Sequence, residues 1–177
     1  MEEKILVVVD MQNDFIDGSL GTKEAQAIVG NVVKEIEDTS YTKIYVTRDT
    51  HFEDYLETNE GKHLPVKHCI KNTPGWQLNK DVENALKKRA AITEYINKYT
   101  FGSMRLVDYI LELKRPIKDI TLIGLCTDIC VVSNALIVKA MGLKCDVIVK
   151  KDCCAGVTPE KHEAALETMR SCQIEVV

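Results

Sequence analysis

A chain of 177 residues is long enough for one domain with a substantial buried core. Its 45% apolar and 28% charged residues describe an ordinary globular composition. A formal charge of −4 argues against nucleic acid as a partner, which needs a clustered basic face. No run approaches the ~20 apolar residues that span a bilayer.

The opening MEEKILVVVD starts acidic, and its apolar run is too short for a signal peptide. The chain is therefore expected in the cytoplasm, without a membrane partner. Residues 5–9 are β-branched and apolar and end at Asp10, the signature of a strand buried on both faces. Residues 23–38 place Ala25, Ile28, Val29, Val32, Val33 and Ile36 at helical spacing. A second buried strand, KIYVT (43–47), runs into Arg48 and Asp49.

From 49 to about 80 periodicity is lost, and the stretch holds three histidines, His51, His63 and His68. A long irregular segment in a compact domain is usually functional, so an active-site excursion is expected. Further strands are expected at 89–95, 119–124, 144–149 and 173–177. Helices are expected at 103–113, at 128–141 closed by Gly142, and from Pro159 to about Arg170 with Thr158 as N-cap. Strands alternating with helices predict a three-layer α/β/α sandwich, one domain with a parallel sheet whose ligand sits beyond the strand carboxyl ends.

Asp10, Asp49 and the turn 124–130 all sit just past strand ends. Asp10 can cap the following turn, or serve as a general acid–base beside a nucleophile. Cys130 in a first helical turn meets the dipole and exposed amides, which pull a thiol below about 8.5 and can hold an oxyanion. Its alternative is a small buried hydrophobe. Cys126 competes for the nucleophile role but lies ahead of the helix. Lys98, read as just after a strand, is either a solvated charge or a partner that stabilises a thiolate. The other cysteines (Cys69, Cys145, Cys153, Cys154, Cys172) are expected to be free structural thiols. Asp49, His51, Glu60, His63 and His68 suit a borderline divalent ion, although D-x-H alone is a weak signal and loop histidines are often solvated.

Four motifs in order resemble the isochorismatase-like cysteine hydrolases, closest to nicotinamidases. They are VDMQNDF (9–15), NKYTFGS (97–103), GLCTDICV (124–131) and KDCCAGVTPEKHEAAL (151–166). The resemblance implies a six-stranded parallel sheet and a triad of Asp10, Lys98 and Cys130. It also implies a non-proline cis peptide at Leu125–Cys126, with an oxyanion hole from the Cys126 and Cys130 amides. For the metal it implies Asp49, His51 and His68, with Glu60 as third ligand and His63, Asp54 and Glu57 within reach. The ion would be zinc, with manganese or iron as alternatives.

The implied reaction is hydrolysis of a small-molecule amide, nicotinamide to nicotinate plus ammonia, through a thioester. Phe15, Tyr99 and Trp76 are candidates to pack against a flat ring, and His162 reads as a helix-face residue. A homo-oligomer whose neighbour completes the pocket is compatible with the sequence. Rival readings are another hydrolase of the superfamily, acting on a carbamoyl, ureido or isochorismate-type substrate, and a flavodoxin-like redox or binding module. The latter lacks support from any C-x-x-C or phosphate-binding glycine loop.

Overall fold

The computed structural model describes residues 2–177. In chain order the elements are β1 (Glu3–Val9), α1 (Asn13–Ile16), α2 (Lys23–Glu37), β2 (Lys43–Asp49), α3 (Asn59–His63), α4 (Lys80–Lys88), β3 (Thr93–Lys98), α5 (Met104–Leu111), β4 (Ile117–Leu125), α6 (Val132–Ala140), β5 (Asp146–Ala155), α7 (Pro159–Ser171) and β6 (Glu175–Val176). The six strands pair in the order β3-β2-β1-β4-β5-β6, and every pairing is parallel. Among the described residues no helix is long and apolar enough to cross a membrane.

Successive strand residues face opposite sides, and the sheet uses both. Leu6 and Val8 join one apolar cluster with Ile28, Val32 and Ile36 of α2 and Val82 and Leu86 of α4. Ile5, Val7 and Val9 join the other, with Leu106 and Ile110 of α5, Ala135 and Val138 of α6, and Leu166 and Met169 of α7. Each fully buried aliphatic side chain contributes about 1.5–3 kcal/mol. The sheet is therefore held from both faces, giving three layers.

β1 pairs with β2 on one side and β4 on the other, so the strand order reverses between β1 and β4. Their carboxyl ends open the crevice where parallel sheets bind ligands. Gly124 makes this closeness possible. Its φ is +117°, and a Cβ there would lie 2.1 Å from the Val9 carbonyl oxygen.

Several local expectations change. Residues 80–88, given no element above, form a helix, because Val82, Ala85 and Leu86 share one face and Asn79 accepts from the Asp81 and Val82 amides. Arg89 then caps α4, and residues 90–92 make a 3₁₀ turn, so β3 occupies 93–98 instead of 89–95. Lys98 is thereby the last residue of a strand, paired in register with Asp49, and not part of a loop. The segment after β4 opens as a π-helix, Thr127–Val131, before regular α6. β5 runs on to Ala155, well past the expected 149. Thr158 caps α7 as its side chain predicts, accepting from the Lys161 amide, and Gly142 takes φ +65° beyond α6.

Candidate active site and metal centre

Asp10 leaves β1 with φ +48°, a conformation that aspartate tolerates better than most residues. The turn is held by its amide donating to the Thr47 carbonyl at 3.2 Å, and the Thr47 hydroxyl donates to Asp10 Oδ1 at 2.7 Å. Lys98 reaches the same point from β3. Its Nζ lies 2.6 Å from Asp10 Oδ2, 3.2 Å from Asp49 Oδ1 and 3.3 Å from Cys130 Sγ. The Lys98 ammonium thus pairs with Asp10 Oδ2 at the closest of these contacts.

Cys130 sits in the π turn, where the amides of Ile129 and Val131 both donate to the Cys126 carbonyl at 3.0 Å. The Leu125–Cys126 peptide is cis, as the resemblance implies.

Burial reverses one expectation. Desolvation pushes the Cys130 thiol well up, and the Asp10 charge adds to this, while the Lys98 ammonium opposes without winning. The dipole effect predicted for an exposed first turn is overridden because the sulfur lies deep. Cys126 is pushed up to about 12, again chiefly by burial. Burial also raises the Asp10 carboxyl, with Lys98 pulling down and Asp49 pushing up. For Lys98, burial favours the neutral amine, but Asp10, Cys130 and Asp49 together outweigh it and keep the ammonium charged. Asp10 and Cys130 thus titrate as a pair beside a fixed cation.

Asp49, His51, Glu60 and His68 offer one ligand atom each, all within 4.8 Å of one another. His51 Nε2 is 3.0 Å from Asp49 Oδ2 and 3.6 Å from Glu60 Oε1; His68 Nε2 is 3.6 Å and 3.7 Å from the same two oxygens. Metal–ligand bonds of about 2.0–2.2 Å place neighbouring ligands about 3–3.5 Å apart, so the set fits a divalent cation. The His68 Nδ1–H donates to the Val66 carbonyl at 2.8 Å, which turns Nε2 toward the centre as the atom available to a cation. Asp49 faces both ways, Oδ2 toward the histidines and Oδ1 toward Lys98. Burial would raise its carboxyl, but hydrogen bonds from His51 and His68 and the Lys98 charge hold it far below the usual range.

The family model of the isochorismatase domain matches residues 4–177. The chain belongs to the isochorismatase family. It is 25% identical to the nicotinamidase/pyrazinamidase of Mycobacterium tuberculosis over 186 residues, covering 98% of each chain. The crystal structure of a nicotinamidase/pyrazinamidase from Bacillus subtilis shares its fold, with a TM-score of 0.86 at 24% identity and 99% of both chains covered. The pyrazinamidase of Pyrococcus horikoshii, crystallised in complex with zinc, aligns with a TM-score of 0.75 at 27% identity, over 99% of this chain and 98% of that one.

In this isochorismatase family member a cavity of about 850 Å³ reaches Cys130, Cys126 and all four candidate metal ligands, between apolar walls that include Phe15, Leu64, Tyr99, Phe101 and Val157. Asp10 and Lys98 are not on its wall; they contact the sulfur from within the protein. Phe15 and Tyr99 are thus where a ring could meet them.

Trp76 is not. Its indole N–H donates to the Thr50 hydroxyl at 2.9 Å and its face takes the Arg48 guanidinium at 4.2 Å, so it packs beside the cavity instead of lining it. His63 lines the cavity, but its Nδ1 donates to the Asn59 carbonyl and it is outside the ligand cluster; Asp54 and Glu57 are exposed and also outside. His162 is a helix-face residue, with its Nδ1 2.8 Å from the Thr127 hydroxyl.

Sequence reasoning assigned no role to Gln12, which is fully buried. Its side chain accepts from the Asp49 amide at 2.7 Å and donates to the Asp49 carbonyl at 2.8 Å and the Trp76 carbonyl at 2.9 Å. It therefore grips the backbone of the carboxylate that joins the two halves of the site. Its position beside Asp10 in VDMQNDF was the available signal, but an untitratable amide announces no chemistry.

Proposed function

We propose that this amidohydrolase of the isochorismatase family converts nicotinamide to nicotinate and ammonia through a thioester on Cys130. The observation that carries the reading is Lys98 Nζ sitting 2.6 Å from Asp10 and 3.3 Å from the Cys130 sulfur at the floor of the cavity. In the resting site the proton stays on the buried sulfur. When an amide carbon approaches, Asp10 takes that proton as the C–S bond forms, and Lys98 remains charged beside both groups. We assign the Cys126 and Cys130 amides as donors to the oxyanion. Asp10 then hands the proton to the departing nitrogen and ammonia leaves. Water attacks the thioester, Asp10 receives the water's proton and returns it to the sulfur, and the acid is released.

Asp49, His51, Glu60 and His68 would hold a divalent ion, with zinc the first choice for two imidazoles and two carboxylates and manganese or iron as alternatives. Such an ion would supply a Lewis-acid anchor for a ring nitrogen or a water. Phe15 and Tyr99 would sandwich the ring. All seven cysteines are free thiols, which supports placing the enzyme in the reducing cytoplasm. Both apolar clusters are built on the one sheet, which supports a single catalytic domain over residues 1–177.

The cavity volume favours a second reading within the same chemistry. About 850 Å³ is room for an amide larger than a single pyridine ring. Ammonia release from a panel of amides, with and without chelator, separates the two by their kcat/KM values. Nicotinamide should be turned over by the wild type and not by Cys130→Ala. Turnover that persists in the variant refutes the covalent route.

A further inference from the structure

Asn134, in the first turn of α6, is fully buried, yet nothing in the mechanism above uses it. Its side chain makes three hydrogen bonds, and each goes to backbone flanking the site. Nδ2 donates to the Cys130 carbonyl at 2.7 Å and to the Phe101 carbonyl at 3.2 Å, and Oδ1 accepts from the Ser103 amide at 3.0 Å. One planar amide thus joins the turn that carries the sulfur to the loop that follows Lys98. That loop supplies Tyr99, Thr100 and Phe101 to the cavity wall.

The loop lies against α6 at the same place. A Cβ on Gly102 would come within 2.3 Å of Ile137 Cδ1 and 3.4 Å of Ser133; Ser133 is next to Asn134, and Ile137 is about one turn further along α6. A buried amide is costly unless its groups are paired, and such groups fix one arrangement of the backbones they join.

We infer that Asn134 is a positioning residue, which holds the Cys130 turn and the 99–102 wall of the cavity in a single frame. It touches neither sulfur nor substrate. It acts by setting the distance between the nucleophile and the surface against which the substrate lies. A displacement of about 1 Å in such a frame can lower turnover about a hundredfold.

The inference rests on the cysteine-hydrolase reading, and two variants separate the tethers. Asn134→Ala removes all three bonds. Asn134→Ser keeps the one to Cys130, because a helical serine donates to the carbonyl four residues back, as Ser133 already does to Ile129 at 2.6 Å. It loses the reach to Phe101 and Ser103. Two readouts are taken well below each variant's melting temperature: the rate at which iodoacetamide labels Cys130, followed by peptide mass, and kcat and KM for nicotinamide.

Asn134→Ala should label Cys130 at least about tenfold more slowly and lose kcat, because the sulfur drifts from Lys98. Asn134→Ser should label within about twofold of wild type and keep kcat, while its KM rises about tenfold as the wall loosens. A merely structural role would lower the melting temperature of both variants and leave labelling, kcat and KM unchanged, and that result overturns the inference. Equal labelling rates for the serine and alanine variants overturn it too. If Asn134→Ala does not fold, the serine variant still decides, since wild-type KM in it removes the wall tether. Wild-type protein that leaves nicotinamide intact defeats the substrate assignment alone, because labelling of Cys130 needs no substrate.

Discussion

Replacing Lys98 by methionine keeps an unbranched side chain, one heavy atom shorter, and removes the charge from between two carboxylates. At separations of 2.6 Å from Asp10 and 3.2 Å from Asp49, the gross attractions are about 6 and about 5 kcal/mol at an effective dielectric of about 20. Much of this offsets the desolvation of the ammonium itself, and deleting one member of a buried ion pair costs about 3–5 kcal/mol net. Lys98→Met should therefore lose about that much unfolding free energy in urea, with chelator present so that no cation substitutes.

The loss should depend on pH in a definite direction. Burial already raises the Asp10 carboxyl, and without Lys98 only the Thr47 hydroxyl bond opposes that rise. A carboxyl raised in the folded state costs stability above its unfolded pKa, and the cost disappears as pH falls and both states become protonated. The deficit should thus be larger at pH 8 than at pH 5. Adding Asp10→Asn, which removes the unpaired carboxylate, should restore most of it. A loss under about 1 kcal/mol, or one insensitive both to pH and to Asp10→Asn, would refute the buried-charge argument.

Gly124→Ala puts a Cβ 2.1 Å from the Val9 carbonyl at φ +117°. It should cost at least about 2 kcal/mol in the same denaturation assay, and wild-type stability would contradict the close approach of β1 and β4. Glu60→Ala should weaken zinc binding, read by competition with a chromogenic chelator, by at least about tenfold, whereas His63→Ala should leave it unchanged. An equal effect of both would exclude Glu60 as the third ligand. Because burial raises the Cys130 thiol above the usual cysteine range, its thiolate fraction should climb as pH increases through 9. Iodoacetamide labelling should still be accelerating there, and a plateau below pH 8 would contradict that direction.

The sheet could be read from the sequence because strands buried on both faces are continuous apolar runs, such as residues 5–9, whose ends announce themselves by a charge. Asp10 and Asp49 are found this way. Lys98 was displaced from loop to strand by a helix that its short apolar stripe, Val82, Ala85 and Leu86, made easy to miss. The candidate metal group was legible as D-x-H plus later residues, but that Glu60 and not His63 falls within the cluster depends on which way α3 turns. Trp76 illustrates the opposite failure. It is near the site in sequence, yet the indole N–H and the Arg48 guanidinium settle it outside the cavity. Gln12 and Asn134 stayed silent because their roles consist of backbone contacts to residues 37 and 31 positions away. The raised Cys130 thiol was invisible for a related reason, since depth of burial is a tertiary quantity.

The central claim is tested most directly by acid-quenching the enzyme during nicotinamide turnover and mapping the peptide that contains Cys130. A nicotinoyl adduct on that sulfur, absent from the other six cysteines and lost on longer incubation, is the predicted result. Full turnover with no adduct on Cys130 at any quench time, in protein whose Cys130→Ala variant remains active, would contradict it.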